Sequence, residues 1–332
     1  MDDATLLEWA GLSLGKGDMY RLYLSIKKLC ETLPGEVEGV RLFGKVNTRT
    51  SPYYVLEGKN PEDQEGVDEA LQEGRSGVNK FKYWVASSVE AAPKDWRALP
   101  NVTCEQIVKS KQFKKLLSGN LDGAVFAYPP FPGNEKELLR AQIARITAAT
   151  SISPDGFWGL DDDGNVKIAE AEAMAGAFPK AAGELTNPDA WKHHEKELNI
   201  LGRITKMPPA MDADGNEIPS EVEEIPNLES AKQGAWAFRA CPGGAGSGSF
   251  SLVVARSITW PGAAAVYNGK SKFINIYIGN GVVYEEGTYT PPLPQALMTE
   301  YTAKEETDLQ LMEQPDTKVD PTPPAPEVPA DE

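Results

Sequence analysis

The residues best suited to chemistry are His193 and His194, the only histidines in the chain. Imidazoles that share one metal ion on a helix stand four residues apart, on one face. Adjacent helical side chains diverge by about 100°, so this pair does not chelate readily. The segment CPGGAGSGSFS (241–251) is the next candidate, because Gly243 and Gly248 have the separation of a phosphate loop. Ser249 and Phe250 stand where that loop needs a lysine and a hydroxyl, and a strand pattern follows where a helix N-terminus should hold the anion. The segment therefore reads as a hairpin turn. DADGNE (212–217) opens like a calcium loop and puts Glu223 at the twelfth position. Glu217, however, occupies the glycine position, and Pro219 blocks the exit helix. DDDGN (161–165) fails in the same way.

Nucleophile motifs are absent from the sequence. There is no G-x-S-x-G, and Cys30, Cys104 and Cys241 are odd in number and far apart, which argues against a disulfide framework and a zinc site. Carboxylates are so plentiful that no pair stands out. The residues imply no catalytic group, no metal and no cofactor. A net charge of −16 repels phosphate backbones and anionic bilayers, so neither nucleic acid nor membrane is expected as a partner. No apolar run approaches the ~20 residues needed to span a bilayer. The start, MDDATLLEWAGLSL, has no basic stretch or small-residue cleavage site, which fits a soluble intracellular chain.

The elements that must position these residues are legible in the spacing. Asp18–Leu33 has Met19, Leu22, Ile26, Leu29 and Leu33 at helical rhythm, with Asp18 as the cap and Cys30 on the apolar face. Strands are expected at Val40–Val46, Tyr53–Glu57 and Lys80–Ala86. Thr103 and Gln106 form a capping box for a helix running to Gly119, with Lys109, Lys111, Lys114 and Lys115 on it. Ala124–Tyr128 is a short apolar run. The elbow Pro129, Pro130, Phe131, Pro132, Gly133 then holds the chain out of the helical region. Asn134 and Glu137 cap a helix whose Leu139, Ile143 and Ile146 make one apolar face, with Arg140 and Arg145 pointing elsewhere. Ile168–Ala177 is weakly helical. Asn187-Pro188 opens a helix to about Leu201, with Trp191, His194, Leu198 and Leu201 on its stripe. Strands follow at Ala235–Ala240, Phe250–Trp260 and Lys272–Gly279, and Asn280-Gly281 signals a hairpin into Val282–Tyr284. The pattern indicates an α+β fold of mainly antiparallel sheets, several packed amphipathic helices and a disordered proline-rich, acidic tail. The expected divisions are an N-terminal helical segment (1–35), an α+β domain (36–300) with acidic loops at 60–79 and 205–232, and the tail (301–332).

Several motifs stand in a fixed order along the chain. PPFPGNE (129–135), LLRAQIARI (138–146) and SPDGFW (153–158) resemble the radial spoke head family that includes spoke proteins four and six. VRLFGKV (40–46), YYVLEG (53–58), NKFKYWV (79–85) and WRALPNVTCEQIVKSKQFKKLLSGNLDG (96–123) are similar to successive stretches of that family. So are WKHHEKELNILGR (191–203), ARSITWPGA (255–263), FINIYIGNGVVY (273–284) and YTPPLP (289–294). The series is collinear from Asp18 to Pro294. Phe43 stands where a tryptophan is usual, Cys104 where a proline is, and Asn280 where a bulky residue is.

The resemblance implies a non-enzymatic structural subunit of the radial spoke head in the axoneme of a motile cilium or flagellum. Implied partners are other spoke head subunits, related copies or a paralogue, and the spoke stalk, with transient contact to the central pair apparatus. The implied task is to relay mechanical signals between central pair and outer doublets, and so to regulate dynein. Interface anchors are expected among lysines, prolines and aromatics: Lys109, Lys114, Lys115, Pro129, Pro130, Phe131, Pro132, Trp158, Trp191, His193, Trp260 and Tyr277. The lysines would face an acidic neighbour. The acidic loops would give salt-sensitive contact with the central apparatus. Two other classes remain open on the residues alone: a soluble adaptor outside cilia, and a nucleotide- or metal-binding enzyme using the glycine loop and His193.

Overall fold

The computed structural model describes residues 2–33, 35–60, 79–160, 166–168, 183–193, 198, 235–241, 252–268 and 273–284. Helices α1 (Asp2–Trp9) and α2 (Lys16–Cys30) lead into strands β1 (Glu38–Val46), β2 (Tyr53–Lys59), β3 (Phe81–Ala86) and β4 (Arg97–Ala98). Helices α3 (Cys104–Ser110) and α4 (Glu135–Thr150) follow, then short strands β5 (Ile152–Pro154), β6 (Trp158–Leu160), β7 (Val166–Ile168) and β8 (Trp191–His193). The last four strands are β9 (Trp236–Cys241), β10 (Leu252–Ser257), β11 (Ala263–Tyr267) and β12 (Phe273–Gly279).

Eight of these strands form one sheet in the order β4-β3-β2-β1-β12-β11-β10-β9. Each half is an antiparallel meander of strands adjacent in sequence. The halves meet at β1 and β12, the sheet's one parallel pair among the described residues. Gly44 makes this seam possible, because a Cβ there would run into the carbonyl of Tyr277. Side chains alternate across the sheet and supply both faces. On one face Val55, Tyr83, Val85 and Tyr277 pack against Leu138, Leu139, Ile143 and Ile146 of α4. On the other face α2 inserts Leu22 and Leu29 against Leu56 and Trp84, while α1 places Leu6 and Leu7 against Val254 and Ile276. The α+β class and the mainly antiparallel sheet are therefore as expected.

Several local expectations give way to tertiary contacts. Helix α2 starts at Lys16 with Gly15 at the cap position, so Asp18 lies inside the first turn. Its buried stripe is Leu22, Ser25 and Leu29, which leaves Cys30 exposed. Helix α3 keeps its Thr103–Gln106 capping box but ends at Ser110, well short of Gly119. Beyond it the backbone is held by the β1–β2 turn: Arg49 N–H donates to the Leu117 carbonyl (2.9 Å), and Thr50 Oγ1 donates to that of Ser118 (2.7 Å). At the helix end itself Arg145 donates to the Ser110 carbonyl (2.8 Å), which a continuing helix would offer to the N–H of residue 114.

Asn187-Pro188 opens only a single 3-10 turn (Pro188–Ala190), and Trp191–His193 is strand β8, paired antiparallel with β5. The strand buries Trp191 completely, with its indole N–H on the Leu185 carbonyl (2.8 Å). Ile168 closes strand β7, and the remainder of the expected helix at 168–177 lies outside the described residues. Strand β11 was not expected, because its run of alanines carries little strand signal. Asn280-Gly281 makes no hairpin. Both edges of β12 are already taken, by β1 and β11, so a returning strand has no place to pair. The Gly281 N–H instead donates to the Tyr277 hydroxyl (2.7 Å). Loop residues 61–78, the acidic stretch 205–232, the glycine loop from Pro242 and the tail lie outside the described residues.

Candidate interaction surface

Helix α4 is the hub from which the surface is built. The backbone N–H of Asn134 donates to Glu137 Oε2 (2.8 Å), closing the expected capping interaction. Nearly every side chain from Leu138 to Ala148 is buried, including Arg140 and Arg145. This corrects the amphipathic reading of the helix, in which the arginines faced outward. Arg140 lies 4.5 Å over the Tyr83 ring and donates to Asn79 Oδ1 (3.1 Å). Arg145 lies 5.2 Å over the Trp260 indole and donates to the Ser110 carbonyl at the C-terminus of α3 (2.8 Å). Aromatic faces and the negative helix end offset the cost of removing both cations from water.

The first residue of α4 ties down the segment that carries the lysines. Glu135 accepts from the Tyr53 hydroxyl (2.7 Å), the Ser118 N–H (2.6 Å) and the Gly119 N–H (2.8 Å). Burial alone would raise its pKa, but hydrogen bonds from Ser118, Tyr53 and Gly119 prevail and hold it below the usual carboxylate range. Tyr53 is pushed the other way, by burial and then by Glu135.

From this anchor two stretches run out together to the surface. The first is 111–117, with Lys114 and Leu116 exposed. The second is 122–132, where exposed and partly buried side chains alternate from Asp122 to Pro130, the period of an extended chain. Phe126 is 84% exposed and Tyr128 93%. The Lys115 ammonium joins the two stretches, donating to the Phe126 carbonyl (2.8 Å) and lying 5.7 Å from its ring centroid. Beneath them Phe113 and Phe131 meet edge to face at 6.0 Å, with Phe131 in the main core. The result is a lysine-flanked aromatic ridge on a rigid footing.

The model of a family described as "Radial spokehead-like protein" matches residues 1–74 and 69–322. The chain belongs to that family. It is 32% identical to "Radial spoke head protein 6 homolog A" of Mus musculus, covering 91% of this chain and 52% of the mouse protein. It is 31% identical to "Radial spoke head protein 4 homolog A" of Homo sapiens, over 91% of this chain and 49% of the human one. It is 33% identical to "Flagellar radial spoke protein 4" of Chlamydomonas reinhardtii, over 88% of this chain and 68% of the algal protein. The chain thus spans about half the length of the mammalian relatives.

Within this radial spokehead-like chain the expected anchors divide into two groups. Lys114, Lys115, Pro129, Pro130 and Pro132 lie in the two ridge stretches and Lys109 in α3, and all are partly or fully exposed. Phe131, Trp191, His193, Trp260 and Tyr277 are buried within the chain itself. Trp191 fills the cluster under β10 and β11. His193 lies 6.5 Å from Trp236, ring centre to ring centre. Trp260 sits under Arg145, and burial pushes the Tyr277 hydroxyl up to about 12. Trp158 lies in β6, paired with β7. His194 lies outside the described residues, as do the two calcium-like segments. Leu116, Phe126 and Tyr128 are the ridge residues that the sequence reading missed. Their signal was the alternation in AVFAYP, which lacks the strand partner that would have buried one face.

Proposed function

We propose that the chain is a structural subunit of the radial spoke head in the axoneme of a motile cilium or flagellum. The family match over residues 1–322 carries this reading, and the names of the similar proteins give its content. The physical design supports it. The sheet is stiffened on both faces by helices, and its buried ionic groups are spent on structure. Glu135 holds strand β2 and the Ser118–Gly119 segment to α4, and Glu57 pairs with Arg41 (2.6 Å) and accepts from Tyr83 (3.2 Å). A part that must pass force between neighbours needs that rigidity more than it needs a reactive group.

On this reading the partners are other spoke head subunits, a related copy or paralogue, and the stalk, with transient contact to the central pair. The chain relays mechanical contact inward and outward and so regulates dynein. Its acidic surroundings keep the central contact weak and salt-sensitive. The test is genetic. A tagged chain should appear along axonemes at the spoke heads, and its deletion should remove those heads and stall or distort beating. Residence of the tagged chain in cells without motile cilia, or intact spoke heads after deletion, would refute the proposal.

A further inference from the structure

Helix α2 carries a second apolar stripe. Its inner face buries Leu22 and Leu29 against Leu56 and Trp84 of the sheet. Tyr20, Tyr23 and Leu24 lie on the outer side and are 51%, 37% and 39% exposed. Residues three and four apart are neighbours on a helix, so these side chains stand side by side. Single exposed apolar residues are ordinary, but a stripe of them on the outer side of a helix is a face made for packing.

The charges around the stripe point to what covers it. Its middle lies between Tyr23 and Leu24. Tyr20 and Lys27 stand at equal distances on either side of that point, and so, farther out, do Lys16 and the C-cap residue Glu31; all four are exposed. Two copies of α2 crossed antiparallel there are related by a two-fold axis. The axis sets each Tyr20 ring level with an ammonium and each Lys16 level with a carboxylate. Within one chain Lys16 and Glu31 lie about 22 Å apart along the helix, at 1.5 Å per residue, and cannot meet. The other cations do not oppose the pairing. Arg21 is turned to Asp18 (3.6 Å) and Glu90 (3.1 Å), and Lys27 already lies 5.2 Å from the Tyr23 ring centroid. Lys28 sits at the rim, in water. The Lys16–Glu8 contact (3.5 Å) is a surface pair, weak enough to exchange.

We infer that the outer face of α2 is a contact between two copies of this chain, crossed antiparallel at Tyr23 and Leu24, with Lys16 of each copy on Glu31 of the other. This rests on the assembly reading and assigns one contact within it. Its failure would leave the localisation test untouched. One helix pair makes an interface below about 1,200 Å², so the dimer belongs in the micromolar range.

Sedimentation equilibrium of the full chain should show monomer and dimer exchanging at micromolar concentration. Tyr20→Ser/Leu24→Ser should weaken the dimer about ten-fold or more, with the circular dichroism of the parent. Lys16→Glu and Glu31→Lys should each weaken it several-fold, and the double exchange should recover most of the loss. A purely local role for either residue would not give that recovery. In a chain with Cys30, Cys104 and Cys241 replaced by serine, a short bismaleimide should join Leu24→Cys to a second copy, but not the more exposed Tyr128→Cys. The inference is overturned by a chain that stays monomeric throughout the micromolar range, by a dimer indifferent to Tyr20→Ser/Leu24→Ser, or by a double exchange no better than the single ones. It is also overturned if Leu24→Cys in a cell extract is joined to a different polypeptide instead of a second copy.

Discussion

Replacing Glu135 by glutamine tests whether the lysine-bearing segment is held as described. The parent carboxylate satisfies three donors: the Tyr53 hydroxyl and the N–H groups of Ser118 and Gly119. Glutamine keeps the shape and one oxygen, but turns an amide NH₂ toward at least one of those donors. A buried donor left unmet costs about 1–3 kcal/mol. A first-turn carboxylate on α4 adds about 0.3–1 kcal/mol through the helix dipole. The expected loss at neutral pH is therefore about 2–3 kcal/mol, a large part of an ordinary domain's stability of about 5–15 kcal/mol. The pH dependence supplies a second reading. The folded carboxylate titrates below its unfolded value, so its contribution is fully present above about pH 4.3 and fades as pH falls through the folded value. Glu135→Gln lacks that contribution at every pH. The gap between parent and variant, measured by urea unfolding with tryptophan fluorescence, should shrink between pH 5 and pH 3. A constant gap over that range, or a variant within about 0.5 kcal/mol of the parent at pH 7, would refute the anchoring role.

Three further outcomes follow from the same geometry. Arg140→Ala removes a buried cation from the Tyr83 face and one donor from Asn79 Oδ1, and should cost about 2 kcal/mol or more in chemical denaturation. Gly44→Ala forces a Cβ into the Tyr277 carbonyl at the parallel seam. It should leave the chain insoluble, or lower its thermal midpoint by far more than an alanine elsewhere in β1. Tyr128→Ser, on the exposed ridge, should leave unfolding free energy within about 0.5 kcal/mol of the parent by the same urea titration.

Strands and caps were legible because their signals are local. The β-rich runs at 40–46, 53–57 and 272–279 and the Thr103–Gln106 and Asn134–Glu137 boxes need only neighbours in sequence to act. Errors fall where a distant group competed. The helix after Thr103 stops where Arg145 of α4 takes the Ser110 carbonyl. Trp191 ends a helix pattern because the Leu185 carbonyl and the sheet face offer it full burial. Asn280-Gly281 fails as a hairpin because β12 lies in the middle of the sheet. Of the interaction surface, the lysines and prolines were visible as types, but Phe126 and Tyr128 were only part of a short apolar run, and the fold alone shows them exposed.

The sequence by itself determined the family, the α+β class and the acidic character, since motif order, residue period and charge are properties of the chain alone. Tertiary structure decided which strands share the parallel seam, that Arg140 and Arg145 lie inside, and which aromatics face water. Periodicity marks a side as apolar but does not say what covers the opposite side. Only the packed neighbours fix whether a charged or aromatic side chain finds rings and carbonyls around it, or solvent.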